Sequence, residues 1–432
     1  MSRAPAETAL NGTDRKQVAT AMTNSEQAER GPAGFGIARL ISPVSPEAFE
    51  QEYLDRKPLH LARHDPDYYA DLITYDDFDR LLTLSGPHFE AVRVVSQSVD
   101  TFRADPSQRR HEVANRLEQI YQCYRAGSTI VLNSVNEHLE GLRELEHAIH
   151  GDLSAGVEMN VYLTPGGVKQ GFNPHYDTHD VVVLQVHGSK SWRLYGTPVP
   201  APLPMASYEY PDQGPNPDIP VEAEIELEQG DLLYLPRGTM HAATSGDQAS
   251  AHLTIGLHRP YWLSLIQDAL LELTAKDPRF RAALPPDLTR SAEAREQAVV
   301  QLRELIGAIL MGLKPEQIVS RAAARTTFIT APKLRGHLTD LDRLSSLRSD
   351  TVVYRRRGLR FNVAVAGSNI RIEFHNKVLE LASGVASAVQ VLGNGDTAGF
   401  TAADLPRDID LAVRLNLVAT LLREGFLTFS PE

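Results

Sequence analysis

Cysteine is nearly absent: Cys123 is the only one in 432 residues, so no intrachain disulfide can form and a reducing cytoplasmic setting is expected. No apolar run reaches the roughly 20 residues that a membrane-spanning helix needs, so no membrane association is expected. The first thirty residues, rich in Ala, Thr, Glu, Gln and Asn, have no apolar core of the kind a secretory signal carries. Residues 1–34 are therefore expected to form a disordered tail. A surplus of positive charge is missing too. Net charge is -12 and the pI about 5.7, which disfavours nonspecific attraction to nucleic acid or to an anionic membrane. What is present, 42% hydrophobic and 23% charged residues, is ordinary for a globular chain able to form two or three domains.

Order is expected to begin near Phe35. Ser45 followed by Pro46 and Glu47 opens like a capped helix, Arg56–Leu61 reads as a short strand, and Thr74 heads a second capped helix. From Val92 to His258 short β runs broken by Gly, Pro and Asn predict a barrel or sandwich. Within it Val181–Val186 reads as a buried strand that turns at His187-Gly188-Ser189-Lys190, with Ser191–Tyr195 returning alongside. Gly230-Asp231 is a turn leading into the apolar strand Leu232–Leu235. After Tyr261 the apolar spacing becomes helical, over Leu263–Leu273, Ala292–Met311 and Pro315–Ala324. The last part mixes strand runs at Thr351–Tyr354 and Leu359–Val365 with helices starting near Asp404 and at Asp408, the latter stopped by Gly425. That order suits a small α+β module of the winged-helix kind.

The chemistry is concentrated in His175-Tyr176-Asp177, answered by His241 after the tight Pro236-Arg237-Gly238 bend. A His-x-Asp pair with one distant His is the donor set of a facial triad, which holds Fe(II) and leaves coordination positions open. In an extended strand, residues two apart share a face, so His175 and Asp177 can grip one ion. Alone the pair is weak evidence, because fifteen histidines supply coincidences such as His179-Asp180. Lys190, two residues before Trp192, adds a cation placed to pair with the far carboxylate of a dicarboxylic cosubstrate. The bland readings go to the rest. His179 and His187 read as barrel-surface or supporting residues, and His252 and His258 as hydrogen-bonded barrel residues. Cys123 reads as a small buried side chain. The Arg355-Arg356-Arg357 run reads as a solvated or protein-facing patch rather than a DNA-binding one.

The stretch from His175 to Tyr195 resembles the core of the JmjC-type ribosomal oxygenases, Fe(II)- and 2-oxoglutarate-dependent protein hydroxylases of the cupin superfamily. The resemblance extends over most of the chain, from Ile41-Ser42-Pro43 and Lys57-Pro58-Leu59 onward, and is most specific in the barrel. It implies an α+β protein: a double-stranded β-helix (the cupin/JmjC jelly roll) at 35–260, an α-helical dimerisation domain at 261–345, and a winged-helix domain at 346–432. It implies that His175, Asp177 and His241 hold iron and that Lys190 binds the C5 carboxylate of 2-oxoglutarate, with O₂ as the other cosubstrate. By the same resemblance Asn160, Tyr162 and Thr254 line the cosubstrate pocket, the chain is a homodimer, and the module at the end does not read DNA specifically. The resulting expectation is a hydroxylase acting on a protein or peptide side chain, a His or Arg of a ribosomal protein. Two alternatives stay open: a hydroxylase of a free amino acid or peptide natural product, and a non-catalytic metal-binding cupin scaffold.

Overall fold

The apolar run Val181–Val186 lies at the centre of a layered arrangement and is buried on both faces. Val182, Leu184 and Val186 join a cluster with Phe49, Phe78, Ile120 and Leu145, while Val181 and Val183 join a second cluster with Trp192, Leu194 and Leu227. Successive strand side chains point to opposite faces, so a strand covered on both sides reads as an uninterrupted apolar run. Leu232–Leu235 behaves in the same way: Leu232 and Tyr234 pack in the first cluster, Leu233 and Leu235 in the second.

The structure, a computed structural model, describes residues 19–22, 35–85, 92–96, 99–103, 113–167, 169, 171–204, 220–326, 334–356, 359, 361–366, 369–375, 377–394 and 399–431. It divides into two units, Met1–Arg259 and Pro260–Glu432. The strands of the first are β1 (Ala19–Met22), β2 (Leu59–Ala62), β3 (Val92–Ser96), β4 (Val99–Arg103), β5 (Thr129–Leu132), β6 (Gly156–Thr164), β7 (Asp180–His187), β8 (Lys190–Leu194), β9 (Ala223–Leu227), β10 (Leu232–Leu235), β11 (His241–Ser245) and β12 (Ser250–His258). They form a nine-stranded sheet, ordered β1-β2-β10-β7-β12-β6-β5-β3-β4, and a three-stranded sheet, β11-β8-β9. This is a cupin-type β-sandwich with helices on its outer side, an α+β architecture.

The helices of this unit are α1 (Ile37–Ile41), α2 (Pro46–Ala48), α3 (Tyr75–Ser85), α4 (Val113–Arg125) and α5 (Glu140–Leu153). Ser45 caps α2 by accepting from the Ala48 N–H at 3.2 Å, and Thr74 and Asp77 cap α3 reciprocally. Two expectations differ from what is found. The region between Val92 and His258 is not purely β, since α4 and α5 interrupt it; α5 carries Leu142, Leu145 and Ile149 at helical spacing and buries all three. Nor do β7 and β8 form a hairpin. The chain crosses from the large sheet to the small one at Gly188, whose φ of 61° and close approach to the Ala249 carbonyl exclude a side chain. Of the tail at 1–34, only Ala19–Met22 falls among the described residues, as a strand pairing parallel with β2.

In the second unit α6 (Trp262–Lys276), α7 (Ala292–Gly312) and α8 (Pro315–Thr326) match the helical spacing of the sequence. Then come α9 (His337–Arg343), β13 (Tyr354–Arg355), a meander of β14 (Asn362–Ala366), β15 (Asn369–Phe374) and β16 (Lys377–Ala382), α10 (Ala386–Asn394), α11 (Leu411–Arg423) and β17 (Leu427–Thr428), which pairs with β13. Asp410 caps α11, and Gly425 ends it at φ 77°. No helix starts near Asp404. Its carboxylate instead accepts from the Thr401 N–H and hydroxyl, closing a turn, and the preceding helix is α10. Arg356 is no surface residue either: it is fully buried and paired with Asp340 at 2.6 Å. Arg357 lies outside the described residues.

Candidate metal centre and its pocket

His175 does not sit in a regular strand. It forms an isolated bridge with His241, each backbone N–H donating to the other's carbonyl at 3.1 and 2.8 Å. The segment continues extended: Gly238 N–H donates to the Asp177 carbonyl at 2.9 Å, and Arg237 N–H to the Asp180 carboxylate at 2.9 Å. Tyr176 is buried between His175 and Asp177, which are both partly exposed. The alternation expected of a strand therefore survives without a ladder. Side-chain ligand atoms of His175, Asp177 and His241 all lie within 4.8 Å of one another, the one such group among the described residues.

The hydrogen bonds around the two rings decide which nitrogen is free. His175 Nδ1 lies 2.8 Å from the Asn173 carbonyl, and His241 Nδ1 lies 2.9 Å from the Thr239 carbonyl. A carbonyl only accepts, so each Nδ1 carries the hydrogen and each Nε2 presents a lone pair. His241 Nε2 is 3.7 Å from Asp177 Oδ2, a separation that an ion could bridge. Burial, and then the neighbouring His175, push the His241 ring down to about 4 against the pull of Asp177, so it is a neutral donor. Two imidazoles oriented by backbone carbonyls and one carboxylate are the donor set of a facial Fe(II) site, and the residues present fit that metal.

The triad opens on a cavity of about 140 Å³ between the two sheets. Lys190, Asn160, Tyr162 and Thr254, the four residues expected to bind a cosubstrate, all line it. Lys190 is 4% exposed; its ammonium donates to Thr164 Oγ1 at 2.9 Å and approaches His252 Nδ1 at 3.4 Å. Burial lowers its pKa to about 7. Asn160 accepts the Ser134 N–H at 3.0 Å through its side-chain oxygen, which leaves the amide NH₂ as its donor group. Burial holds the Tyr162 phenol well above its ordinary range, so it is a neutral hydroxyl.

Several lining residues were not expected. His252 pairs across β12–β6 with Tyr162, and their rings stack at 4.8 Å and 3°. Trp192 is 5.7 Å from the His241 ring and 5.6 Å from that of His252. Thr129, Phe172, Glu158 and Gly256 complete much of the wall. Only the long apolar context of His252 hinted at burial; nothing local in sequence marks Thr129. His179 also lines the cavity, its ring 4.5 Å from that of His258, while His187 lies outside it and packs against Tyr75, the rings 4.4 Å apart and tilted by 39°. Cys123 is half-buried on α4, against the first cluster rather than in the cavity.

Residues 140–265 match the family model of the JmjC domain. The chain is 28% identical over 440 residues to the bifunctional lysine-specific demethylase and histidyl-hydroxylase NO66 of Dictyostelium discoideum, covering 93% of this chain and 84% of that protein. It is 32% identical over 255 residues to ribosomal oxygenase 1 of Gallus gallus, where the match covers 57% of this chain but only 41% of the relative. The solved structure of Escherichia coli ribosomal oxygenase YcfD, in complex with cobalt and 2-oxoglutarate, superposes with a TM-score of 0.45 at 18% identity, over 88% of this chain and 97% of that one. The chain carries a JmjC domain at residues 140–265, spanning the triad, and its homologues include proteins named ribosomal oxygenase and NO66.

Proposed function

We propose that this chain is an Fe(II)- and 2-oxoglutarate-dependent hydroxylase of a protein or peptide side chain, a His or Arg of a ribosomal protein. The observation that carries the reading is the convergence on one cavity of the His175–Asp177–His241 group and the buried Lys190 ammonium. A buried cation with no acidic partner among the described residues suits a ligand that brings its own carboxylate. The chemistry supplied by iron when bound is activation of O₂ coupled to decarboxylation of 2-oxoglutarate to succinate. The chain's own residues do the rest. His175 and His241 hold their Nε2 atoms toward Asp177 because backbone carbonyls occupy both Nδ1 hydrogens. Lys190 anchors one end of the cosubstrate, and the Asn160 amide donates beside it. Trp192, Val181 and Ala243 line the cavity with apolar surface that restricts water. Glu158 is the exposed member of the lining and marks the side from which substrate enters.

A ribosomal-protein substrate is supported by the names of the relatives and by the net charge of -12, which favours encounter with a basic partner. The proposed organisation is a catalytic domain at 35–260, a dimerisation domain at 261–345 and a winged-helix-like domain at 346–432. For the dimer, α6 and α7 contain no buried residue, and Trp262, Leu271, Leu310 and Met311 are 71–85% exposed. A second copy covering them would remove that apolar surface from water. No helix among the described residues is long and apolar enough to cross a membrane. Purified protein with Fe(II), ascorbate and 2-oxoglutarate should release succinate, and ribosomal proteins from cells carrying the gene should gain the mass of one oxygen. Tight iron binding with no succinate from any candidate substrate would overturn this reading in favour of a scaffold.

A further inference from the structure

The hydrogen bonds behind Lys190 form a chain that ends at the cavity. An ammonium can only donate, so Thr164 Oγ1, 2.9 Å away, accepts from Lys190. Thr164 is fully buried, and its hydroxyl oxygen has one other neighbour among the described hydrogen bonds, Thr129 Oγ1 at 3.1 Å. Either hydroxyl of this pair can donate to the other, and of their two hydrogens one is left over. With Thr164 donating, the hydrogen left over is that of Thr129, which is 2% exposed and lines the cavity, where a ligand can accept it. A buried donor without an acceptor is unfavourable unless a ligand supplies one. Space for such a ligand is kept by Gly171 on the same wall, where an added Cβ would come within 2.7 Å of Thr129 Oγ1.

We propose that Thr129 is a second anchor for the distal carboxylate of the cosubstrate, its hydroxyl hydrogen ordered toward the ligand by the chain Lys190–Thr164–Thr129. Lys190 has three N–H donors; one is used by Thr164, one faces His252 Nδ1, and the third is left for the ligand. One N–H and one O–H then serve the two oxygens of a single carboxylate. The stack of His252 on Tyr162 holds the imidazole in place beside the ammonium. This inference rests on the 2-oxoglutarate reading above.

The test is calorimetric binding to the full chain with Mn(II) in place of iron, so that no turnover is needed. Two ligands are compared: 2-oxoglutarate, and 2-oxopentanoate, which has a methyl where 2-oxoglutarate has its distal carboxylate. Thr129→Val should weaken 2-oxoglutarate binding about tenfold, as expected for one hydrogen bond to a charged group, and leave 2-oxopentanoate within twofold. Thr129→Ser should restore wild-type affinity. Equal losses for both ligands, or no loss for 2-oxoglutarate, overturn the role of Thr129 and leave the proposed cosubstrate standing. Wild-type protein that binds no 2-oxoglutarate overturns both. If the Val variant does not fold, Thr129→Ala is read through the same ratio between ligands, which cancels any general packing defect.

Discussion

Replacing Lys190 by Met should move two observables in opposite directions. The Lys190 ammonium is buried against two neutral partners, Thr164 and His252, and burial alone takes its pKa from 10.5 to about 7. A displacement of that size corresponds to an upper bound of roughly 4–5 kcal/mol held against folding at neutral pH. Losing the two hydrogen bonds offsets about 1–2 kcal/mol of the gain, so the ligand-free variant should be more stable by on the order of 2 kcal/mol. For a unit of this size that is a rise of several degrees in melting temperature. The sign with pH follows from the depressed folded-state pKa. Between about pH 7 and pH 10 the unfolded chain binds more protons than the folded one, so the penalty in the wild type fades as pH rises. The advantage of the variant is therefore greatest below about pH 7 and shrinks toward pH 10. Affinity for 2-oxoglutarate should fall at least a hundredfold, since truncating one member of a buried ion pair costs about 3–5 kcal/mol. Melts across this pH range and calorimetry with Mn(II) read both effects. A lower ligand-free melting temperature, or nearly unchanged 2-oxoglutarate affinity, refutes the argument.

His175→Ala should abolish succinate release and weaken iron binding by at least about a hundredfold, with an unchanged circular dichroism melt; measurable turnover would remove His175 from the metal set. Gly238→Ala should destabilise the first unit by more than about 2 kcal/mol, because its φ is 84° and a Cβ would lie 2.2 Å from the Val199 carbonyl. The same change should reduce metal affinity, since the Gly238 N–H holds the Asp177 carbonyl; iron titration of the folded fraction tests this. Arg356→Ala should destabilise the second unit by about 3–5 kcal/mol, leaving Asp340 buried without its partner, as chemical denaturation followed in that unit would show. Light scattering on a chain ending near Pro260 should report a monomer if α6–α8 carry the dimer contact; an unchanged oligomeric state would place the contact elsewhere.

Much of this protein is local information. The His175-x-Asp177 pair, the caps at Ser45 and Thr74, the stop at Gly425 and the helical periodicity after Tyr261 all depend on residues near in sequence, and each is legible there. The cation at Lys190 was legible as well, because its place just before Trp192 is a local pattern. Three things were not. The crossing of β7 and β8 into different sheets depends on Gly188 meeting the Ala249 backbone, some sixty residues away. The burial of Arg356 depends on Asp340 from α9, and the pocket role of Thr129 depends on a hydroxyl brought in from β6. The sequence by itself determined which groups could bind a metal and a carboxylate. Only the tertiary structure decided which nitrogen of each His is free, that Lys190 is stripped of water, and that the Thr129 hydroxyl reaches the cavity. Those properties arise from burial and hydrogen bonding between distant segments, where a lost partner or lost water changes proton occupancy in a way that no local pattern records.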